Sequence, residues 1–149
     1  MGMNNDCLYG YGFSIYATDE ELKNFILKHK ETISHLTDGS RLLAYVEECS
    51  DEFNLKEDFY DYAPEHSSSE GIYGVIADVI TRESGIQFEY HIAQEDQDDA
   101  ILFPETYPWL LNEKEKSVTE KDLEEICYKY ISDLGGELTP EYLRLEFWG

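Results

Sequence analysis

Between Leu8 and Tyr16 the chain alternates, with Tyr9, Tyr11, Phe13 and Ile15 on one side and Gly10 and Gly12 on the other. A period of two is that of a strand. Two glycines on one face imply that another backbone or a helix lies close to it. The period then lengthens. Thr18 precedes Asp19, Glu20 and Glu21, a capping box that opens a helix with Leu22, Phe25, Ile26 and Ile33 on its apolar side. Asp38-Gly39-Ser40 interrupts it, and Leu42, Val46, Cys49, Phe53 and Tyr60 follow at helical spacing. This second segment either runs unbroken to Tyr62 or restarts at a cap formed by Ser50-Asp51-Glu52.

After the loop at Pro64 and Ser67-Ser68-Ser69, Ile72, Val75, Ile76, Val79 and Ile80 predict a helix stopped by Gly85. Ile86, Phe88, Tyr90 and Ile92 alternate with Gln87, Glu89 and His91, which predicts a strand with one wet face. Its hairpin partner is Ala100 to Phe103, across the acidic loop Gln94 to Asp99. Pro104 and Pro108 mark an irregular turn around Trp109, and Glu113 to Lys116 is a mixed-charge link. Thr119 opens a last helix carrying Leu123, Ile126, Cys127, Tyr130, Ile131 and Leu134, which Gly135-Gly136 closes. Tyr142 to Trp148 alternates as a terminal strand. The expected fold is α+β in a single domain over residues 1–149. Its sheet is mixed or antiparallel, of about four strands, with about four to five helices packed on it.

Composition agrees with an ordered chain, 42% hydrophobic and 14% aromatic. Its charge is unusual: 33 acidic against 11 basic side chains give −22 at pH 7. Such an excess repels itself, and solubility needs far less of it, which favours a role for the surface. From Glu47 to His66 eight acids face Lys56 alone, and from Gln94 to Glu105 five acids have no base among them. On an unbroken helix, positions four and seven apart rise by about 6 and 10.5 Å. Glu47, Asp51, Asp58 and Asp61 would then form a carboxylate ladder comparable to phosphates, which repeat at about 3.4 Å along one nucleic-acid strand. Tyr60 and Tyr62 beside it would stack on arginine planes. Glu95, Asp96, Asp98 and Asp99 form the second candidate patch.

Catalytic signatures are weak by comparison. Gly10-Tyr11-Gly12 lies within a strand, whereas a phosphate loop needs its glycines between strand and helix. His29, His35, His66 and His91 occupy different segments, without zinc spacing. His91 beside Glu89 is the best acid-base pair. The Glu95 to Asp99 loop offers oxygen ligands but lacks the glycine and glutamate of an EF-hand, Ile101 and Tyr107 standing in their places. Cys7, Cys49 and Cys127 have no regular spacing and read as reduced core residues. No apolar run suggests export or a membrane span, so a cytoplasmic location is expected.

These features lead to the expectation of a non-enzymatic acidic protein without cofactor or metal. It would inhibit a basic nucleic-acid-binding partner, such as a nuclease, by polyanion mimicry of the phage anti-restriction or anti-CRISPR kind. It would bind no nucleic acid itself. One alternative is an immunity protein neutralising a basic nuclease toxin. Another, from a different class, is a small enzyme or metal-binding protein using Glu89 and His91 or the Glu95 to Asp99 loop. Self-repulsion also has a direct readout: the melting temperature at pH 7 should rise by several degrees between low salt and ~0.5 M salt. A flat or falling curve would mean that the carboxylates are already compensated.

Overall fold

The computed structural model describes residues 5–36, 39–48, 54–59, 71–92, 99–135 and 138–148. Four strands make one antiparallel sheet: β1 (Asn5–Ser14), β2 (Glu89–His91), β3 (Ala100–Pro104) and β4 (Glu141–Trp148), in the order β2-β3-β1-β4. Seven α-helices occur among the described residues: α1 (Asp19–Lys28), α2 (Lys30–Ser34), α3 (Gly39–Glu48), α4 (Leu55–Asp58), α5 (Ile72–Ser84), α6 (Glu113–Lys116) and α7 (Glu120–Asp133). Pro108–Leu110 forms a single 3-10 turn. The α+β expectation holds.

Alternation on β1 places Tyr11 and Phe13 in the main core with Ile101 of β3 and Tyr90 of β2. Helix residues from α1, α2, α3, α5 and α7 close over that face, among them Phe25, Ile33, Leu42, Val79 and Cys127, all fully buried. Burying each large apolar side chain contributes about 1.5–3 kcal/mol, so this layer is the main source of stability. On the opposite face Ala100, Leu102 and Leu145 form a smaller cluster. Gly10 and Gly12 lie on this second side, and β3 is the close backbone their pattern foretold. A methyl at Gly12 would collide with the Ile101 carbonyl oxygen and with Leu102, and one at Gly10 with the Phe103 carbonyl oxygen.

Three expectations are refined. The first helix ends at His29, and Ile33 lies on the separate α2. The strand foreseen over Ile86 to Ile92 shrinks to Glu89–His91. The cause is a missing donor. Glu105 N–H donates to Tyr9 O at 2.8 Å, which turns the backbones of Phe103 and Ile101 toward β1 and those of Pro104, Leu102 and Ala100 toward β2. Pro104, the next position opposite Gln87, has no N–H to give, and the ladder stops. Gln87 N–H donates instead to Glu115 Oε2 at 2.8 Å, and Phe88 N–H to Thr81 Oγ1 at 3.0 Å. Finally, the supposed link at Glu113 is helix α6, because Asn112 and Glu115 complete a capping box.

The Gly12 contact should be sensitive to one methyl group. Gly12→Ala is expected to destabilise the fold by about 1–3 kcal/mol, the range for overpacking a filled site. Urea unfolding would measure it, and a midpoint within error of wild type would contradict the contact.

Candidate functional site

The carboxylate ladder does not form as one helix. Asn54, with φ −138° and ψ 84°, leaves helical geometry and caps α4 through its side chain, so α3 and α4 are separate elements. Glu47, near the end of α3, pairs with Lys30 Nζ at 2.6 Å. Asp58 on α4 accepts from the Tyr45 hydroxyl. Asp99 accepts from Tyr90 Oη at 2.7 Å, while its backbone carbonyl accepts from Ile15 N–H. Each described member of the ladder and of the second patch is therefore bonded within the chain, Glu47 and Asp58 while remaining exposed. Asp51, Tyr60, Asp61, Tyr62, Glu95, Asp96 and Asp98 lie outside the described residues.

The basic side chains are drawn into the fold in a similar way. Lys28 pairs with Asp133 at 3.8 Å and Lys116 with Glu113 at 3.2 Å, and Lys114 donates to the Ser84 carbonyl. Three more cations lie over aromatic rings: Arg41 on Phe59 at 4.8 Å, Lys56 on Tyr16 at 4.4 Å and Lys129 on Tyr130 at 5.0 Å. Arg144 Nε donates to Tyr9 Oη at 3.2 Å. Exposed acids such as Glu20, Glu31, Glu48, Glu105, Glu120 and Glu124 add to the field at the surface.

The densest polar network centres on His29, which the sequence did not single out. Its ring is 8% exposed and stacks obliquely on Phe25, with centroids 4.5 Å apart. Nδ1 faces Glu83 Oε2 at 2.9 Å and Nε2 faces Asp133 Oδ2 at 2.8 Å. Each ring nitrogen thus faces one carboxylate oxygen at hydrogen-bond distance. Thr32 Oγ1 and Tyr130 Oη also donate to Glu83, at 2.6 and 2.9 Å. Burial works to raise the Glu83 pKa, but the bonds from Thr32, His29 and Tyr130 together lower it below its ordinary 4.5. Burial, then the same carboxylate, pushes the Tyr130 phenol upward. The network ties the α1–α2 junction to α5 and α7. Since both imidazole nitrogens are already bonded, its chemistry is that of a clamp.

His91 Nε2 does meet Glu89 Oε1, at 2.8 Å, on the short β2. No cluster of three or more His, Cys, Asp or Glu suited to a metal occurs among the described residues. Burial pushes the Cys127 thiol up to about 12, far from the thiolate range. An open groove of about 500 Å³ runs beside α6 and α7. Its floor is Ile86, Val118 and Ile126, and its rim carries Lys114 and Lys129 with Asp122 and Glu125, a balance that selects no ligand charge. More distinctive is the 3-10 turn. Tyr107 and Trp109 stack 4.7 Å apart at 7°, exposed by 63% and 74%, and Leu110 is 64% exposed beside them.

No protein-family model matches the chain, nor does any curated protein or any solved structure. Function is therefore argued from the residues themselves.

The His29 clamp has two measurable consequences. His29→Ala leaves Glu83 and Asp133 facing one cavity and should cost about 3 kcal/mol in urea unfolding, as when one partner of a buried ionic pair is removed. Because the Glu83 pKa is lower folded than unfolded, its contribution is complete above 4.5 and is lost as pH falls through the folded value. Glu83→Gln should accordingly flatten the acid limb of the stability profile below pH 4.5. An unchanged acid limb would show that Glu83 does not carry this dependence.

Proposed function

We propose that this chain is a non-enzymatic acidic interaction protein that occupies the nucleic-acid groove of a basic partner in place of a polyanion. One observation carries the reading: the net charge of −22 is set on a fold that places several of its lysines and arginines on rings, a carbonyl and pairs within the chain. A phosphate backbone presents the same character, a dense negative field with little local compensation. A groove that binds such a backbone is lined with lysine and arginine, and matched fields speed encounter and set orientation. The exposed pair Tyr107 and Trp109 adds aromatic surface of the kind that anchors protein interfaces.

The carboxylates that would face the partner are exposed acids spread over several elements rather than the ladder as a unit, because α3 and α4 are separate helices. Inhibition by this route needs no chemistry. It requires only that the protein and the nucleic acid exclude one another from a single groove.

Competition is the test. Immobilised protein should capture, at low salt, a basic nucleic-acid-binding protein that excess duplex DNA or ~0.5 M salt releases. The protein alone should leave a short duplex unshifted in a gel. A captured partner that holds duplex DNA and this chain at once would end the mimicry reading, as would a gel shift by the protein itself.

A further inference from the structure

The helix layer stops short of β4, and the geometry points to the outer edge of this strand as the docking site for an extended arginine-rich segment, added as a further strand. The proposal rests on the preceding reading that the partner is basic, and names the surface that meets it.

Backbone direction follows from the pairing. Tyr9 O accepts from Glu105 N–H and Ile15 N–H donates to Asp99 O, so alternate residues of β1 from Tyr9 onward turn toward β3. Gly10 and Gly12 then turn toward β4, where they oppose Leu143 and Glu141. Between these, the backbone of Tyr142 points away from the sheet. β4 is the terminal strand, and among the described residues no strand lies beyond it. It is eight residues long, ample for a ladder with an incoming segment.

Side chains near this edge fit a cationic occupant. Tyr142 is 60% exposed although it projects to the helix-covered side, where its ring meets Tyr11 edge-on at 5.1 Å. Glu120, Glu124 and Tyr128 stand four residues apart on α7 and are all exposed. Their helix packs on β1, and the Tyr11 phenol is pushed upward by burial and then by the charge of Glu124. The helix-covered side toward which Tyr142 projects thus carries two exposed carboxylates on α7, while Arg144 on the same strand donates to Tyr9 Oη. Arginine alternating along an added strand would meet the carboxylates with its charge and the rings with its guanidinium plane. A second copy of the chain would bring another −22 to the same edge, which disfavours self-pairing.

Proline separates strand addition from simple charge attraction. Tyr142→Pro removes the outward N–H, which the ladder with β1 does not use, whereas Tyr142→Ala keeps it. The probe is a short synthetic peptide in which arginine alternates with valine, with a glutamate-valine peptide as control. The arginine peptide should protect the Tyr142 amide from hydrogen exchange, while Leu143 is protected with or without it. Tyr142→Pro should weaken binding about tenfold relative to Tyr142→Ala, both retaining wild-type circular dichroism. If Tyr142→Pro unfolds, exchange at the Tyr142 amide of the wild type decides alone. Peptide binding without that protection overturns the edge site and leaves the basic-partner reading standing. A dimer that protects the Tyr142 amide without peptide also overturns it, as does binding lost in Trp109→Ala and kept in Tyr142→Pro. Failure of the parent reading is seen separately, in a captured partner that still binds DNA.

Discussion

The close approach of β1 and β3 is the constraint on which the rest of this molecule rests. Glycine at positions 10 and 12 lets the β3 backbone lie where a Cβ would otherwise stand. The registers of β2 and β4 follow from this pairing, since each is added to one member of it. So does the position of the core: Tyr11 and Phe13 turn to the side opposite the glycines, where the helices gather. The helix layer is in turn fixed by a contact of another kind. His29 stands at a break between two short helices and reaches α5 and α7 through two carboxylates. Apolar burial supplies the stability, and this polar centre selects how four helices meet.

A chain with three acids for every base must also manage its own field. The structure spends cations where they serve packing, over Phe59, Tyr16 and Tyr130, and where they close helix ends, as Lys114 does on the Ser84 carbonyl. Carboxylates that fold inward are satisfied by hydroxyls and amides: Glu83 by Thr32 and Tyr130, Asp99 by Tyr90, Glu115 by Gln87 and Asn112. Neutral donors thus do much of the work that counter-ions do in an ordinary domain. The surface keeps its anionic character for that reason.

What could be read from the sequence was whatever local pattern specifies. The Thr18 and Thr119 caps, the apolar stripe from Ile72 to Ile80, the Gly85 stop and the alternation of β1 and β4 all rest on neighbours within a few residues. What was not legible depended on a distant partner. The shortening of β2 is caused by a proline on another strand and by Glu115, 28 positions from Gln87. His29 was noted only as lacking zinc spacing, because its carboxylates lie 54 and 104 positions away. The acidic positions suffered in the same way. Helical spacing put Glu47 and Asp58 on one stripe, but Lys30 and Tyr45, which claim them, are set by how α2, α3 and α4 fold against each other.

The two margins of the sheet are unequal, and this bears on assembly. At β2 the strand is three residues long, and Pro104 together with Glu115 closes off its approach to Gln87. Only Tyr90 turns its backbone outward there, too little for a continuing ladder. At β4 eight residues are available. Copies of one chain joined edge to edge in series need an open margin on each side of the sheet, and here one of the two is withdrawn. The head-to-tail growth that turns open sheets into filaments is thereby opposed by the same proline that shortened β2.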